Sequence, residues 1–411
     1  MSARMFPIRT ATSCQLKWNW STLYLHQART ASCHRTAWSD FSLTTFDSFH
    51  NTPVKIADRQ AMLQGNWPES SCGYCKNIEQ AGGTSDRHLH LDHPNRVPVE
   101  LLLDPQAVTV TPTILEVYFN NTCNLSCLYC IPELSSRINQ ENTRHGSFDS
   151  NGVSLESVTI NPEHSLIVEK FWQWMHANSQ QLRRLHVLGG EPFYQTEFDR
   201  CLEYFTQHPH PELEFNVVSN LMIDHNKLFD YVKKFKELLS QRHLKRVDIT
   251  CSIDCTGPEQ EFVRYGMDIN RWIYNFDILR QQKWLTLNIN QTISVLTVKS
   301  MPNLMRWLAT WRQQRPVGHF FSVVAPQPSY LDPAILGPGV FDKDFEQTIE
   351  LMPNDIGKQY MTGIAQSIQN SRRNPTEMLK LLTFLNEKDR RRGTSWQTVF
   401  PWLAKELEHV V

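Results

Sequence analysis

From about residue 112 the chain alternates between short apolar runs and longer amphipathic stretches. The short runs are rich in β-branched and aromatic residues and predict strands at TILEVYF (113–119), RRLHVL (183–188), LEFNVVS (213–219), RVDITCSI (246–253), LTLNINQTISV (285–295) and HFFSVVA (319–325). The stretches between them carry apolar residues at helical spacing and predict helices over 162–178, 196–207, 225–241, 269–283 and 301–313. Strands that alternate with helices predict an α/β fold with a parallel sheet, either open or curled into an incomplete barrel.

Two regions flank this alternating core, which spans 105–325. Residues 1–100 are rich in aromatic residues, histidine and cysteine, and the stretch DHPNRVPVE reads as a linker because Pro94 and Pro98 restrict their neighbours to extended conformations. Residues 326–411 have a helical pattern and close with LLTFLNEKDRRRGTSWQTVFPWLAKELE before the final residues. We therefore expect three parts with boundaries near these positions.

Composition and charge exclude several classes of protein. Of the 411 residues, 41 are basic and 42 are acidic, so the charge balance favours neither nucleic acid nor a membrane surface as a partner. No apolar run approaches the ~20 residues that cross a bilayer, and the basic N-terminus lacks the apolar segment of a secretory signal. Ten cysteines in such a chain favour metal or redox chemistry over disulfides, and hence a reducing, cytoplasmic setting.

The stretch NTCNLSCLYC follows the first predicted strand and places Cys123, Cys127 and Cys130 in a C-x3-C-x2-C spacing. In α/β proteins, ligands gather outside the carboxyl ends of the strands. Three thiolates on one loop can hold three corners of a [4Fe–4S] cluster, which normally takes four cysteines, so that one iron stays open for a substrate. A zinc knuckle that borrows a distant fourth ligand is the alternative.

The next predicted strand ends in a second motif, LHVLGGEPF, which contains Gly189, Gly190, Glu191 and Pro192. Glycines permit a close backbone approach, and a carboxylate can pair with an ammonium group. Together the two motifs resemble the radical S-adenosylmethionine (radical SAM) superfamily, whose cysteine signature has an aromatic residue before its last cysteine, here Tyr129.

This resemblance implies an enzyme with an incomplete (β/α)6 TIM-type barrel and an active cluster at the carboxyl ends of its strands. It implies that SAM chelates the open iron and that GGEP binds the SAM amino group. An electron from the cluster would then cleave SAM to methionine and a 5′-deoxyadenosyl radical that abstracts hydrogen. The resemblance also implies a reductant such as flavodoxin or ferredoxin.

Four more residues resemble positions that contact the cofactor or substrate in the superfamily. Asn220 ends VVSN on the third strand, Ser252 and Asp254 lie in CSIDC after the fourth strand, and Arg264 lies in EFVRYG. The resemblance implies that these side chains face SAM or the substrate, and an arginine can pair bidentately with the SAM carboxylate. Capping or surface roles are the alternative for each of them.

Three other cysteines and one charge run have structural interpretations. Cys201, Cys251 and Cys255 are expected to be buried, because free cysteine behaves as a small apolar side chain. The run KDRRRG (388–393) is expected to be a solvated helix end, where cations suit the carbonyl terminus.

Four cysteines precede the core: Cys14, Cys33, and the tight C-x2-C pair Cys72 and Cys75. Two separated pairs predict a four-ligand metal site. The segment resembles the auxiliary-cluster modules called twitch or SPASM, although it lies before the barrel and Ala28 stands where a glycine is usual. The resemblance implies one auxiliary [4Fe–4S] cluster, with zinc as the rival metal. Further candidate ligands are His34, His88, His90 and His93.

The substrate is the least constrained part of the prediction. Such auxiliary modules are frequent among enzymes that modify peptides or protein side chains, so a peptide or protein substrate is the leading hypothesis. Oxidation or rearrangement of a small molecule is the alternative. A non-catalytic iron–sulfur or zinc protein that transfers electrons or scaffolds a partner is a hypothesis of another class, and it leaves GGEP without a role.

Overall fold

The computed structural model describes residues 10–33, 35–68, 71–80, 82, 85, 87–88, 108–324 and 328–408. The predicted linker at 92–100 and the candidate ligands His34, His90 and His93 lie outside the described residues. In the described ranges, no helix has the length and apolar character needed to cross a membrane.

The N-terminal segment adds three strands to one edge of the central sheet. Its elements are α1 (Leu16–Asn19), β1 (Trp20–Tyr24), β2 (Arg29–Ala31), β3 (Ser39–Asp40), α2 (Pro53–Leu63) and α3 (Gly73–Gln80). Strand β1 pairs antiparallel with β2 and parallel with β4 (Ile114–Tyr118), the first strand of the alternating core. One sheet therefore continues from the N-terminal segment into the core.

The core alternates strands and helices. From β4 onwards its elements are β5 (Ser126–Cys127), α4 (Ser136–His145), β6 (Phe148–Ser150), β7 (Val153–Leu155), α5 (His164–Asn178), β8 (Arg184–Leu188), α6 (Thr196–Gln207), β9 (His210–Ser219), α7 (His225–Ser240), β10 (Leu244–Ser252), α8 (Gly257–Val263), β11 (Arg264–Tyr265), α9 (Ile269–Arg280), β12 (Thr286–Ile293), α10 (Met301–Arg312) and β13 (Gly318–Val323). Strands β4, β8, β9, β10, β12 and β13 are parallel neighbours in that order. A mixed α/β fold with a parallel sheet is confirmed, and closure into a (β/α)6 barrel stays a prediction.

The parallel sheet has one apolar and one more polar face, because side chains alternate along a strand. Fully buried apolar residues form the face that packs in the main hydrophobic core: Leu115, Val117, Leu185, Val187, Phe215, Val217, Ile249 and Cys251. The alternate positions on the same four strands include the polar side chains of Glu116, His186, Asn216 and Thr250, together with apolar ones such as Ile114, Tyr118, Leu188 and Val218. The helices therefore cover one side, and the other side presents groups that form hydrogen bonds.

Capping explains where two of the covering helices begin. The side chain of Asp224 accepts hydrogen bonds from the Asn226 and Lys227 amides at the start of α7. Asp268 does the same at the start of α9. A carboxylate at this position satisfies backbone donors that have no partner within the helix.

After β13 the described chain is helical, as the pattern of residues 326–411 predicts. The helices are α11 (Asp342–Leu351), α12 (Asp355–Gln369), α13 (Pro375–Arg392), α14 (Trp396–Val399) and α15 (Pro401–Leu407). Helix α13 buries Met378, Leu381 and Leu385 in the same hydrophobic core as the sheet. The extension is thus packed on the core rather than separate from it.

Ala28 adopts the backbone conformation that explains why glycine is usual at this position. It has φ +56° and ψ +46°, in the left-handed region, at the turn between β1 and β2. This region raises the conformational free energy of a residue with a Cβ by about 1–2 kcal/mol, whereas glycine adopts it without a steric clash.

Ala28→Gly is expected to raise the free energy of unfolding by about 0.5–1 kcal/mol, since relief of the left-handed strain exceeds the added flexibility of glycine. Urea denaturation measures this change. Ala31→Gly is the matched control, because Ala31 lies in β2 and its φ is not positive; that variant should be less stable than the parent. Equal destabilisation by both variants would contradict the strain argument.

Candidate functional site

The three core cysteines lie in the loop after β4, at the carboxyl edge of the parallel sheet. Cys127 belongs to β5, which pairs antiparallel with β11 so that Cys127 lies opposite Arg264. The loop is also tied to the start of α4, where Ser136 Oγ accepts from the Cys123 amide at 3.0 Å and Ser135 Oγ donates to the Leu125 carbonyl at 2.9 Å. Two other elements therefore anchor the cysteine loop.

Burial keeps these thiols in their neutral form. It raises the pKa of Cys123 to about 12, with a further contribution from the neighbouring Cys127, and burial also raises the pKa of Cys127 and of Cys130. The thiolate is the form that ligates iron, so a metal cation has to replace each proton. Three thiols on one loop, of which Cys127 is buried and Cys123 and Cys130 are partly exposed, are a donor set that fits an iron–sulfur cluster.

Gly189 and Gly190 allow the end of β8 to pack directly on the cysteine loop. Both have a positive φ, +91° and +52°. A Cβ at Gly189 would lie 2.8 Å from the Asn120 carbonyl oxygen, and a Cβ at Gly190 would overlap the Thr122 carbonyl. The Glu191 amide donates to the same Thr122 carbonyl at 2.8 Å. The glycine pair therefore serves a close contact between two backbones.

The carboxylate of Glu191 joins the ends of β8 and β9. It is fully buried, and it accepts hydrogen bonds from Ser219 Oγ at 2.8 Å and from the Asn220 amide at 2.6 Å. Burial raises the pKa of Glu191 to about 7, although these hydrogen bonds act in the opposite direction. The Asn220 side-chain amide lies 3.9 Å from Cys123 Sγ. Glu191 and Asn220 thus connect two strand ends with the first cysteine.

A second buried network reaches the loop from beyond the end of β10. Arg264 Nε and Nη2 donate to the two carboxylate oxygens of Asp254 at 2.8 and 2.9 Å, and the Tyr129 hydroxyl donates to the same carboxylate at 2.8 Å. The remaining Arg264 nitrogen, Nη1, lies 4.0 Å from Cys127 Sγ. Asp254 is thus the bidentate partner of Arg264 here, and the pairing of Arg264 with a SAM carboxylate stays a prediction.

The other predicted residues lie at the same edge of the sheet. Ser252 ends β10 and is buried, and Pro192 begins a buried turn directly after Glu191. Within that turn, the side-chain amide of Gln195 donates to the Gly189 carbonyl. Sequence reasoning missed Gln195, and it missed the role of Ser219, although VVSN contains that serine. Neither residue has a motif of its own, so only its position after a strand could have indicated it.

Cys201, Cys251 and Cys255 are buried, as expected. The expectation of a solvated helix end for KDRRRG is wrong for three of its cations. The side chains of Lys388, Arg391 and Arg392 are 2%, 0% and 3% exposed. Lys388 and Arg392 bind Glu141 of α4 at 2.5 and 2.7 Å. Their partner stands 251 positions before Arg392 in the chain, so local charge patterning does not indicate it.

The four N-terminal cysteines line one pocket of about 450 Å³, part of it open to solvent. Burial raises the pKa of Cys14 to about 12 and of Cys33 to about 11, and the neighbouring Cys72 thiol adds to both shifts. Among the described residues, no group of three His, Cys, Asp or Glu side chains is arranged to hold a single metal ion. His88 does not line the pocket and instead lies 3.7 Å from Glu79.

Four lysine and arginine side chains are buried in the described part of the segment that carries this pocket, and one of them, Arg87, lines the pocket and pairs with Glu79. Lys17 lines the pocket and donates to Asp58 at 2.5 Å, whereas Lys55 donates to the hydroxyls of Ser21 and Thr30. Arg59 is fully buried as well, and it binds backbone carbonyls. Lys17 pairs with Asp58 and Arg87 with Glu79, whereas burial lowers the pKa of Lys55 well below its usual value. Arg59 is thus a buried cation held by neutral oxygens, and an anionic metal–thiolate group nearby would offset its charge.

The comparisons with known proteins give one curated relative. No protein-family model matches the chain. The radical SAM cyclopropyl synthase TigE of Paramaledivibacter caminithermalis is 22% identical over 169 residues. The matched part is 41% of this chain and 32% of TigE, so the chain spans about a third of the relative's length.

Solved structures of radical SAM proteins resemble the chain at low scores. Native anSMEcpe with bound AdoMet and Kp18Cys peptide has a TM-score of 0.36 at 16% identity, over 58% of this chain and 59% of its own. Streptococcus suis SuiB bound to precursor peptide SuiA has 0.35 at 12% identity, over 90% of this chain and 68% of its own. Escherichia coli coproporphyrinogen III oxidase (HemN) has a TM-score of 0.31 at 12% identity, over 62% of this chain and 52% of its own. At these scores the likenesses carry no argument.

Gly190→Ala is expected to lower the free energy of unfolding by more than about 3 kcal/mol, because its Cβ overlaps backbone that cannot move without shifting the cysteine loop. Urea denaturation measures the change. Gly339→Ala is the control, since Gly339 also has a positive φ, +90°, but nothing lies within 4 Å of its Cβ position. That variant should lose about 1 kcal/mol. Equal losses would show that backbone strain alone, and not the contact with Thr122, makes Gly190 necessary.

Proposed function

We propose that this protein is a radical SAM enzyme in which Cys123, Cys127 and Cys130 hold a [4Fe–4S] cluster with one open iron. The observation that carries the proposal is that three thiols share one loop at the edge of a parallel sheet, where the Glu191 network reaches Cys123 and the Asp254 network reaches the buried Cys127. When bound, the cluster supplies the electron that cleaves the SAM sulfonium to methionine and a 5′-deoxyadenosyl radical, which abstracts hydrogen. A flavodoxin or ferredoxin reductant and a cytoplasmic setting complete the proposal.

The residues of the chain bind and orient the cofactor. We assign the SAM amino group to GGEP, where the Glu191 carboxylate is oriented by Ser219 and by the Asn220 amide. The Asn220 side chain, beside Cys123, is assigned to the sulfonium or ribose. Buried side chains such as these orient the reactants and exclude water, so that the radical meets the substrate and not solvent.

The polar face of the sheet supports a peptide or protein side chain as the substrate. Glu116 lies beside His186, His186 beside Asn216, and Asn216 beside Asp248 in the strand register. These side chains lie on strands whose carboxyl ends lead to the cysteine loop and its neighbouring turns. Carboxylate, imidazole and amide groups match the N–H and C=O groups of a peptide backbone. Glu116 and Asp248 are buried and already accept hydrogen bonds from Thr22 and Arg246, so this support for a peptide substrate rests on His186 and Asn216.

The N-terminal pocket is proposed to hold an auxiliary [4Fe–4S] cluster bound by Cys14, Cys33, Cys72 and Cys75. Two observations support it: four thiols from separate parts of the chain line one pocket, and the buried cation Arg59 nearby is held by neutral oxygens. A zinc ion on four thiolates is the rival occupant. The left-handed Ala28 adds support, since the related modules place glycine at this turn.

Cys127→Ala is expected to abolish SAM cleavage, because the cluster would lose one of its three ligands. Cys72→Ala should retain part of the cleavage that occurs without substrate. The measurement is 5′-deoxyadenosine formed after anaerobic reconstitution with dithionite and SAM. Cys201→Ala is the control, since Cys201 is buried away from both cysteine groups and should behave as the parent. Absence of 5′-deoxyadenosine from a fully loaded parent would refute the proposed activity, and equal loss in both variants would contradict the division between the sites.

Metal analysis of a Cys72→Ala/Cys75→Ala variant tests the auxiliary site. If both sites hold [4Fe–4S] clusters, this variant should bind about half the iron of the parent, because each site takes one cluster of equal size. Iron and zinc are measured together after anaerobic purification. Iron equal to that of the parent, with zinc lost, would instead identify the N-terminal metal as zinc.

A further inference from the structure

The C-terminal extension contains a buried arginine that packs against the strand paired with the cysteine loop. The Arg392 side chain, at the end of α13, is 3% exposed and donates through Nε to Glu141 at 2.7 Å. Its guanidinium lies over the Tyr265 ring, 4.7 Å from the ring centre, and the Tyr265 hydroxyl donates to the Arg392 carbonyl at 3.4 Å. Within the described residues, Arg392 Nη2 is buried and has no hydrogen-bond partner. A buried guanidinium N–H without a partner is costly, so a group that accepts it is expected.

Tyr265 connects this arginine to the cysteine loop. Tyr265 and Arg264 form β11, which pairs with Ser126 and Cys127 of the cysteine loop. Arg264 reaches Cys127 Sγ from this ladder with Nη1 at 4.0 Å. The charges of both arginines favour the Cys127 thiolate, although burial raises the pKa of this thiol overall. Two guanidinium groups from different parts of the chain therefore act on one corner of the proposed cluster site.

The buried charges around this corner do not cancel. Glu141 binds two cations, Lys388 at 2.5 Å and Arg392 at 2.7 Å. Asp254 binds one cation, Arg264. Among these five groups the positive charges exceed the negative ones by one, and the third buried acid of the site, Glu191, acts on Cys123. Because a cluster gains a negative charge on reduction, a nearby buried positive charge stabilises its reduced state.

We propose that Arg392 is a positioning residue for the cluster: it donates to the Cys127 corner through Nη2 and makes the cluster easier to reduce. This inference rests on the proposed function, since it requires a cluster at the three cysteines. It assigns a role to the C-terminal extension, which brings a charge to the active edge of a sheet formed by earlier parts of the chain. Arg392 does not contact the reacting atoms and acts through the cluster.

The test is an EPR-monitored redox titration of the reconstituted full chain, with iron per chain measured on each sample. Arg392→Gln should lower the midpoint potential, so that the ratio of reduced to oxidised cluster at the parent midpoint falls about tenfold, which is 59 mV for a one-electron couple. Arg392→Lys keeps the charge and should restore most of the shift. Arg390→Gln is the matched control, because Arg390 is on the same helix turn with a 60% exposed side chain and should leave the potential unchanged.

Glu141→Gln separates charge from mechanical support. It weakens the same ion pair as Arg392→Gln but removes a negative charge, so the potential should stay the same or rise. A lower potential in Glu141→Gln, or equal potentials in Arg392→Gln and Arg390→Gln, would overturn the inference. If Arg392→Gln loses the cluster altogether, it will bind no iron. In that case, the inference is supported if Arg392→Lys and Glu141→Gln both bind as much iron as the parent. It is overturned if either of these two variants binds less. Failure of the proposed function is distinct, because the parent itself would then lack a cluster that responds to SAM.

Discussion

The site depends on a backbone contact that only glycine permits. At Gly190 the chain leaves β8 so close to the cysteine loop that a Cβ would overlap the Thr122 carbonyl, and the next amide, that of Glu191, binds the same carbonyl. This contact sets the distance between the first two strand ends of the core. The positions of Cys123 and of the Glu191 carboxylate follow from it, since both lie within a few residues of the contact.

Two buried acids then join the remaining strand ends to the cysteines. Glu191 holds the end of β9 through Ser219 and Asn220, and Asp254 holds Arg264 and Tyr129. Each acid is oriented by hydrogen bonds from protein donors on neighbouring elements, which links these elements at the edge of the sheet. Water-poor surroundings suit radical chemistry, because a reactive radical must be kept from solvent and from unintended hydrogen donors.

Both cysteine groups lie in segments that bury several cations. In the N-terminal segment these include Lys17, Arg59 and Arg87, and near the core cysteines they are Arg264 and Arg392 with Lys388. Burying unpaired cations opposes folding unless an anionic group compensates them. Metal bound by several thiolates is such a group, so the cations and the cysteines form one electrostatic arrangement in each place.

The sequence alone determined the six strands of the parallel sheet and the five long helices between them, because apolar periodicity is a local property, and it determined the two motifs, because their residues are adjacent in the chain. It also predicted the burial of Cys201, Cys251 and Cys255. It did not predict the short elements β5, β6, β7, β11, α4 and α8. Only the tertiary structure decided that α13 places Arg392 at the cysteine loop and that β1 extends the core sheet, since both contacts join residues far apart in the chain. The local charge pattern predicts that the KDRRRG side chains are exposed to solvent, because it contains no information about Glu141. This carboxylate lies far away in the chain and makes burial of Lys388 and Arg392 favourable.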